Sequence, residues 1–124
     1  MKLLNNILMA VIIGASIFSC ASNSIETSIS MSEFKKLYSA NPKIKVIDVR
    51  TLGEFNGPLG HITTATLMPL SNIQGSVDKL KTMGQEPVYV VCRSGNRSGK
   101  ATSILLQYDI NAINVLGGMK AWNQ

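Results

Sequence analysis

The chain has 124 residues, room for one domain with a single hydrophobic core, and its 45% hydrophobic and 15% charged composition is that of an ordinary globular protein. The formal charge of +5 is scattered apart from Arg93, Arg97 and Lys100, and no aromatic-interleaved basic stripe accompanies it, which argues against nucleic acid as a partner. No internal repeat or low-complexity run is present.

Met1-Lys2 supplies a positive start, and Ile7 to Phe18, ILMAVIIGASIF, is an apolar run of signal-peptide length, short for a membrane span. Ser19 stands directly before Cys20, an arrangement that resembles the bacterial lipoprotein signal, in which the cysteine is lipidated and becomes the mature N-terminus. The resemblance implies a signal peptide over 1–19, lipidation at Cys20, a Ser-rich tether to residue 27 and a domain over 28–124. That domain would be exported and membrane-anchored on the periplasmic or extracellular face of a bacterial envelope. An uncleaved anchor or plain secretion would export it equally. Cys20 and Cys92 are the two cysteines. With Cys20 acylated, Cys92 is an exported thiol with no partner, either buried and inert or kept for its reactivity.

Ser30 and Glu33 have capping-box spacing and open a helix whose face is expected to carry Met31, Phe34, Leu37 and Tyr38, with Asn41-Pro42 ending it. Ile44 to Val49 is short and β-branched, a strand. TLGEFNGPLGHI, rich in glycine and proline, is loop with one helical turn. Thr66 to Leu70 is a second strand candidate, and Ser76 to Met83 a short helix capped by Ser76 and stopped by Gly84. The unbroken apolar run Val88 to Val91 has the pattern of a strand covered on both faces. A helix follows from Ser98 to Tyr108, with Ala101, Ile104, Leu105 and Tyr108 inward, then a strand from Ile113 to Leu116 and a terminal turn around Trp122. Alternating strands and helices make this an α/β layer sandwich with a mainly parallel central sheet flanked by helices. In such sheets ligands bind beyond the carboxyl ends of the strands, where Cys92 lies.

The segment after that strand, CRSGNRS, is a tight polar turn into a helix. Gly95 gives the backbone conformations closed to other residues, and successive N–H groups can point into one concavity. The positive end of the helix, with Arg93 and Arg97, adds to the field. A thiol placed there has its pKa lowered, and the same cradle accepts an anion. The bland alternative, a cysteine serving as a small buried hydrophobe, does not account for a polar, doubly basic loop.

Cys92 to Ser98 resembles the active-site loop of single-domain rhodanese-type sulfurtransferases. VIDVR at Val46–Arg50, EF and GHI within Glu54–Ile62, MPL at Met68–Leu70 and NVLGGMKAW at Asn114–Trp122 occur in that family's order and spacing, so the resemblance spans about Ile29 to Trp122. It implies that Cys92 is a nucleophile that takes sulfane sulfur from a small anionic donor such as thiosulfate, polysulfide or a persulfide. The resulting persulfide would pass its sulfur to a thiol, cyanide or a protein acceptor. The substrate cradle would be Arg93, Ser94, Gly95, Asn96, Arg97 and Ser98, with Asp48 and Arg50 fixing the loop from the neighbouring strand. His61 and Trp122 are read as structural. Neither the resemblance nor the residues call for a cofactor; Met68, Met83 and Met119 lack ligand spacing, and no cluster suggests a metal. A monomer is expected.

Other readings stay open. Cysteine-dependent phosphatases of related fold place five residues between cysteine and arginine; four separate Cys92 from Arg97. Arsenate reduction is a further alternative. Glu54 and Ser94 stand where some thiosulfate-using relatives carry basic side chains, which favours a sulfur-carrier or docking module without useful turnover.

Overall fold

The computed structural model describes residues 26–124; the expected signal peptide, Cys20 and most of the tether lie outside the described residues. The elements run β1 (Ser28–Ile29), α1 (Met31–Ala40), β2 (Lys45–Asp48), α2 (Leu52–Phe55), β3 (Thr66–Leu67), two 3-10 turns, α3 (Val77–Thr82), β4 (Val88–Val91), α4 (Asn96–Gln107), β5 (Ala112–Val115) and α5 (Gly118–Trp122). The strands form one sheet in the order β1-β5-β4-β2-β3, and every pairing is parallel. The α/β layer sandwich read from the sequence is the fold.

The strand side chains alternate between two cores, as period two requires. Val88, Val90 and Cys92 join Ile47, Leu80, Ala101 and Leu105 on one face; Tyr89 and Val91 join Phe34, Ile62 and Met119 on the other. All four residues of β4 are buried, which explains the unbroken apolar run. Trp122 packs against Phe34 and Tyr38 and anchors α5 on α1.

Several expected details differ. The Ser30 hydroxyl accepts from the Glu33 N–H, but the complete reciprocal box forms at Thr51 and Glu54. Leu37 is exposed, because at about 100° per residue it lies at the margin of the Met31–Phe34–Tyr38 stripe. Tyr108 is exposed because it caps α4 just before the chain turns through Asp109 at φ 60°. The β3 strand ends at Leu67 rather than Leu70, since Pro69 has no N–H for the ladder and a 3-10 turn starts at Leu70. Ser76 makes no side-chain cap; a 3-10 turn at Gln74–Ser76 runs into α3 instead. The last strand sits one residue earlier than expected, and α4 starts at Asn96 rather than Ser98. The domain also opens on a strand that the sequence pattern does not mark: the two-residue β1 pairs with β5 through Asn114 and Val115.

Candidate active site

Strand β4 delivers Cys92 to the carboxyl end of the sheet, between β5 and β2, and α4 begins four residues later. The turn depends on Gly95, whose φ of 108° favours glycine and which serves as the N-cap of α4. Its N–H donates to Cys92 Sγ at 3.1 Å, and the Ser98 hydroxyl lies 3.2 Å from the same sulfur. The sulfur is thus held from the loop and from the first turn of α4 together.

Cys92 is 1% exposed. Burial opposes its ionisation, but the Ser98 hydroxyl and the N–H groups of Ser98, Gly95 and Ser94 together outweigh it and draw the thiol pKa down. Of the expected cradle, Ser94, Gly95 and Ser98 therefore act on the sulfur. Arg93 and Asn96 are exposed at the rim.

Three further hydrogen bonds fix this loop from residues to which sequence reasoning gives no role there. The Asn114 side-chain amide donates to the Gly95 carbonyl at 3.2 Å. At the start of α5, Met119 N–H donates to the Cys92 carbonyl at 2.8 Å and Lys120 N–H to the Arg93 carbonyl at 3.0 Å. Such close approach requires Gly118: a Cβ there would stand 2.5 Å from the Cys92 carbonyl oxygen and 2.6 Å from the Arg93 carbonyl carbon. The Gly117-Gly118 pair is the signal for it, which by sequence alone marks only a turn.

Asp48 and Arg50 are both buried and form an ion pair at 2.8 Å. Arg50 also donates to the carbonyls of Glu54 at 3.2 Å and Gly60 at 2.7 Å. The loop they hold directly is Glu54–Gly60, a correction to the expectation that they brace Cys92–Ser98. Their effect on the latter runs through Glu54, whose carboxylate receives the Arg97 guanidinium in two parallel bonds of 2.6 and 2.7 Å. Arg97, expected to attract donors at the rim, is committed to this pair. Its guanidinium chiefly, with the Thr51 cap, holds the Glu54 carboxyl down at about 2 against partial burial.

His61 stacks on Phe55 at 3.6 Å, and its Nδ1–H donates to the Phe55 carbonyl at 2.8 Å. It braces the loop as expected of a structural residue. Among the described residues no cluster of His, Cys, Asp or Glu side chains could hold a metal ion. Beside the Cys92 loop lies an open cavity of about 340 Å³ lined by Arg50, Glu54, Pro58, Leu59 and Arg93.

A family model described as a rhodanese-like domain matches residues 30–124. The Bacillus subtilis protein YqhL is 38% identical over 81 residues, covering 64% of this chain and 61% of that one. A second Bacillus subtilis protein, YtwF, whose name places it provisionally among sulfurtransferases, is 33% identical over 95 residues, 76% of this chain and 87% of its own. The crystal structure of a rhodanese-like domain protein from Staphylococcus aureus superposes with a TM-score of 0.67 at 36% identity, covering 77% of this chain and 90% of that one.

Proposed function

The chain belongs to the rhodanese-like domain family, and on that premise we propose that it is a sulfurtransferase working through a persulfide on Cys92. The thiolate attacks the outer sulfur of an anionic sulfane donor. The donor's S–S bond breaks, its electron pair leaves with the donor remainder, and a new S–S bond joins the sulfur to Cys92. A thiol or cyanide acceptor then attacks that terminal sulfur and Cys92 departs as thiolate. One difficult transfer becomes two easier ones.

The observation that carries this reading is the convergence of the Gly95 N–H and the Ser98 hydroxyl on a buried Cys92 sulfur. These groups favour a negative sulfur in both the resting thiolate and the persulfide. Activation by the loop leaves no task for a neighbouring base, and His61 is occupied with Phe55. The phosphatase reading needs the arginine that ends the loop free for phosphate oxygens, whereas Arg97 is bound to Glu54. Thiocyanate formation from a sulfane donor and cyanide tests the proposal: wild type turns over and Cys92→Ala does not, while retained turnover in that variant sinks it.

A carrier or docking module is the second reading, favoured by the 1% exposure of Cys92, which restricts acceptor access. It predicts a persulfide that small acceptors barely discharge.

The N-terminal sequence supports a location for this chemistry: an envelope membrane, through a lipid on Cys20. A fatty-acid analogue would label the wild-type chain and not Cys20→Ser; label on both chains would refute the anchor.

A further inference from the structure

The Arg97–Glu54 pair lies 43 residues apart in sequence and decides how much positive charge the site can offer a donor. Two arginines, Arg50 and Arg93, line the cavity beside the Cys92 loop, and a third, Arg97, is bound to the lining residue Glu54. Arg50 is neutralised by Asp48, buried against it at 2.8 Å. Arg97 is neutralised by Glu54 in bidentate geometry, and Glu54 itself lines the cavity. Arg93 is exposed, and among the described residues its guanidinium makes no hydrogen bond or ion pair. One uncompensated cation therefore faces the cavity, next to walls made by Pro58 and Leu59.

A compact inorganic dianion such as thiosulfate fits that environment poorly. One of its charges meets Arg93, and among the described residues the cavity lining offers no second free cation for the other, since Arg50 is paired with Asp48 and Arg97 with Glu54. A donor bearing one negative charge on a carbon-based body matches it: the charge pairs with Arg93, and the body covers Pro58 and Leu59. The cavity volume of about 340 Å³ admits a ring-sized group.

We propose that Glu54 determines donor specificity by sequestering Arg97, so that the site prefers monoanionic organic sulfane donors to thiosulfate. The inference rests on the sulfurtransferase reading and names its substrate class. Glu54 acts through Arg97 and is a positioning residue, not a catalytic one. Its replacement by glutamine keeps the α2 capping geometry, since a Gln at that position also serves a capping box.

Benzenethiosulfonate and thiosulfate make a matched pair of probes. Both surrender an outer sulfur from a sulfonyl-type sulfur; the first is a monoanion with an apolar ring and leaves as the sulfinate, the second a dianion that leaves as sulfite. In the wild-type chain kcat/KM with cyanide as acceptor should be higher for benzenethiosulfonate. Glu54→Gln releases Arg97 and should lower that preference about three- to tenfold, the scale of a partly exposed ion pair, chiefly through a fall in KM for thiosulfate. Leu59→Ala should lower kcat/KM for benzenethiosulfonate more than for thiosulfate. Turnover with an unchanged donor ratio in both variants, or a wild-type preference for thiosulfate, overturns this inference and leaves the sulfurtransferase reading standing. Absence of turnover with both donors in the wild-type chain defeats both.

Discussion

The Ser98 hydroxyl stands 3.2 Å from the Cys92 sulfur, and both residues are buried. A hydroxyl in that place donates to a thiolate more strongly than to a thiol, so it lowers the thiol pKa from its ordinary 9.0 against the opposing effect of burial. Ser98→Ala should move the pH midpoint of Cys92 alkylation upward. Loss of one hydrogen bond to a charged group is worth about 1.5–3 kcal/mol, so the alkylation rate near neutrality should fall about tenfold or more. An unmoved midpoint would assign the pKa to the backbone N–H groups alone.

Gly118 is the second sensitive position. Its φ is 55°, and a methyl group added there would come within 2.5 Å of the Cys92 carbonyl oxygen, so no side chain fits. Gly118→Ala should displace the carbonyls of Cys92 and Arg93 from α5, cost about 1–3 kcal/mol in backbone strain alone, and reduce sulfur transfer by more than stability accounts for. Gly60 offers the contrast: its φ is 61° but the space around it is open. Gly60→Ala should show only the backbone penalty of about 1 kcal/mol. Thermal or urea unfolding of the two variants, beside their turnover, separates crowding from conformation.

Arg50→Met would leave the Asp48 carboxylate buried without its guanidinium and release the Glu54–Gly60 loop. Breaking a buried pair from one side costs about 3–5 kcal/mol. Urea denaturation should show that loss, a large share of the about 5–15 kcal/mol expected of a small domain. Adding Asp48→Leu should recover part of it, because the unpaired charge is then gone.

Glu54 gives the acid limb of stability. Its folded pKa, about 2, lies below the ordinary 4.5, so the carboxylate's contribution is fully present above pH 4.5 and is lost as pH falls through the window down to about 2. The pair is about one-third exposed, and solvent screening limits its worth to about 1 kcal/mol. Urea midpoints of wild type and Glu54→Gln should differ near neutrality and converge in that acid window. A difference that persists at the acid end would contradict the assignment.

What the sequence discloses, and what it hides, follows from the range of the interactions. The continuous apolar run Val88–Val91 announces a strand buried on both faces, and the Cys92–Ser98 turn carries its own chemistry in seven consecutive residues. Sequence pattern puts the start of α4 two residues late because the turn hinges on the positive φ of Gly95, which no apolar periodicity marks. β1 leaves no trace in the pattern since two residues are too few for one, and their pairing with Asn114 and Val115 is non-local. The same holds at the site. Asn114 reaches Gly95 across 19 residues and Arg97 reaches Glu54 across 43, so an acidic side chain that reads as a departure from relatives is the partner of an arginine expected to be free. Asp48 and Arg50 are legible as a supporting pair in a strand-end motif, but the loop they grip is fixed only by the carbonyls of Glu54 and Gly60.

The central claim is that the Cys92 sulfur accepts and releases a sulfur atom. Intact-mass spectrometry of the chain lacking residues 1–20, before and after incubation with benzenethiosulfonate, thiosulfate or polysulfide, measures that directly. The account predicts a gain of one sulfur atom that maps to Cys92, is absent in Cys92→Ala, and disappears on addition of cyanide or a thiol. No gain with any of the three donors, or a gain that survives in Cys92→Ala, would contradict it.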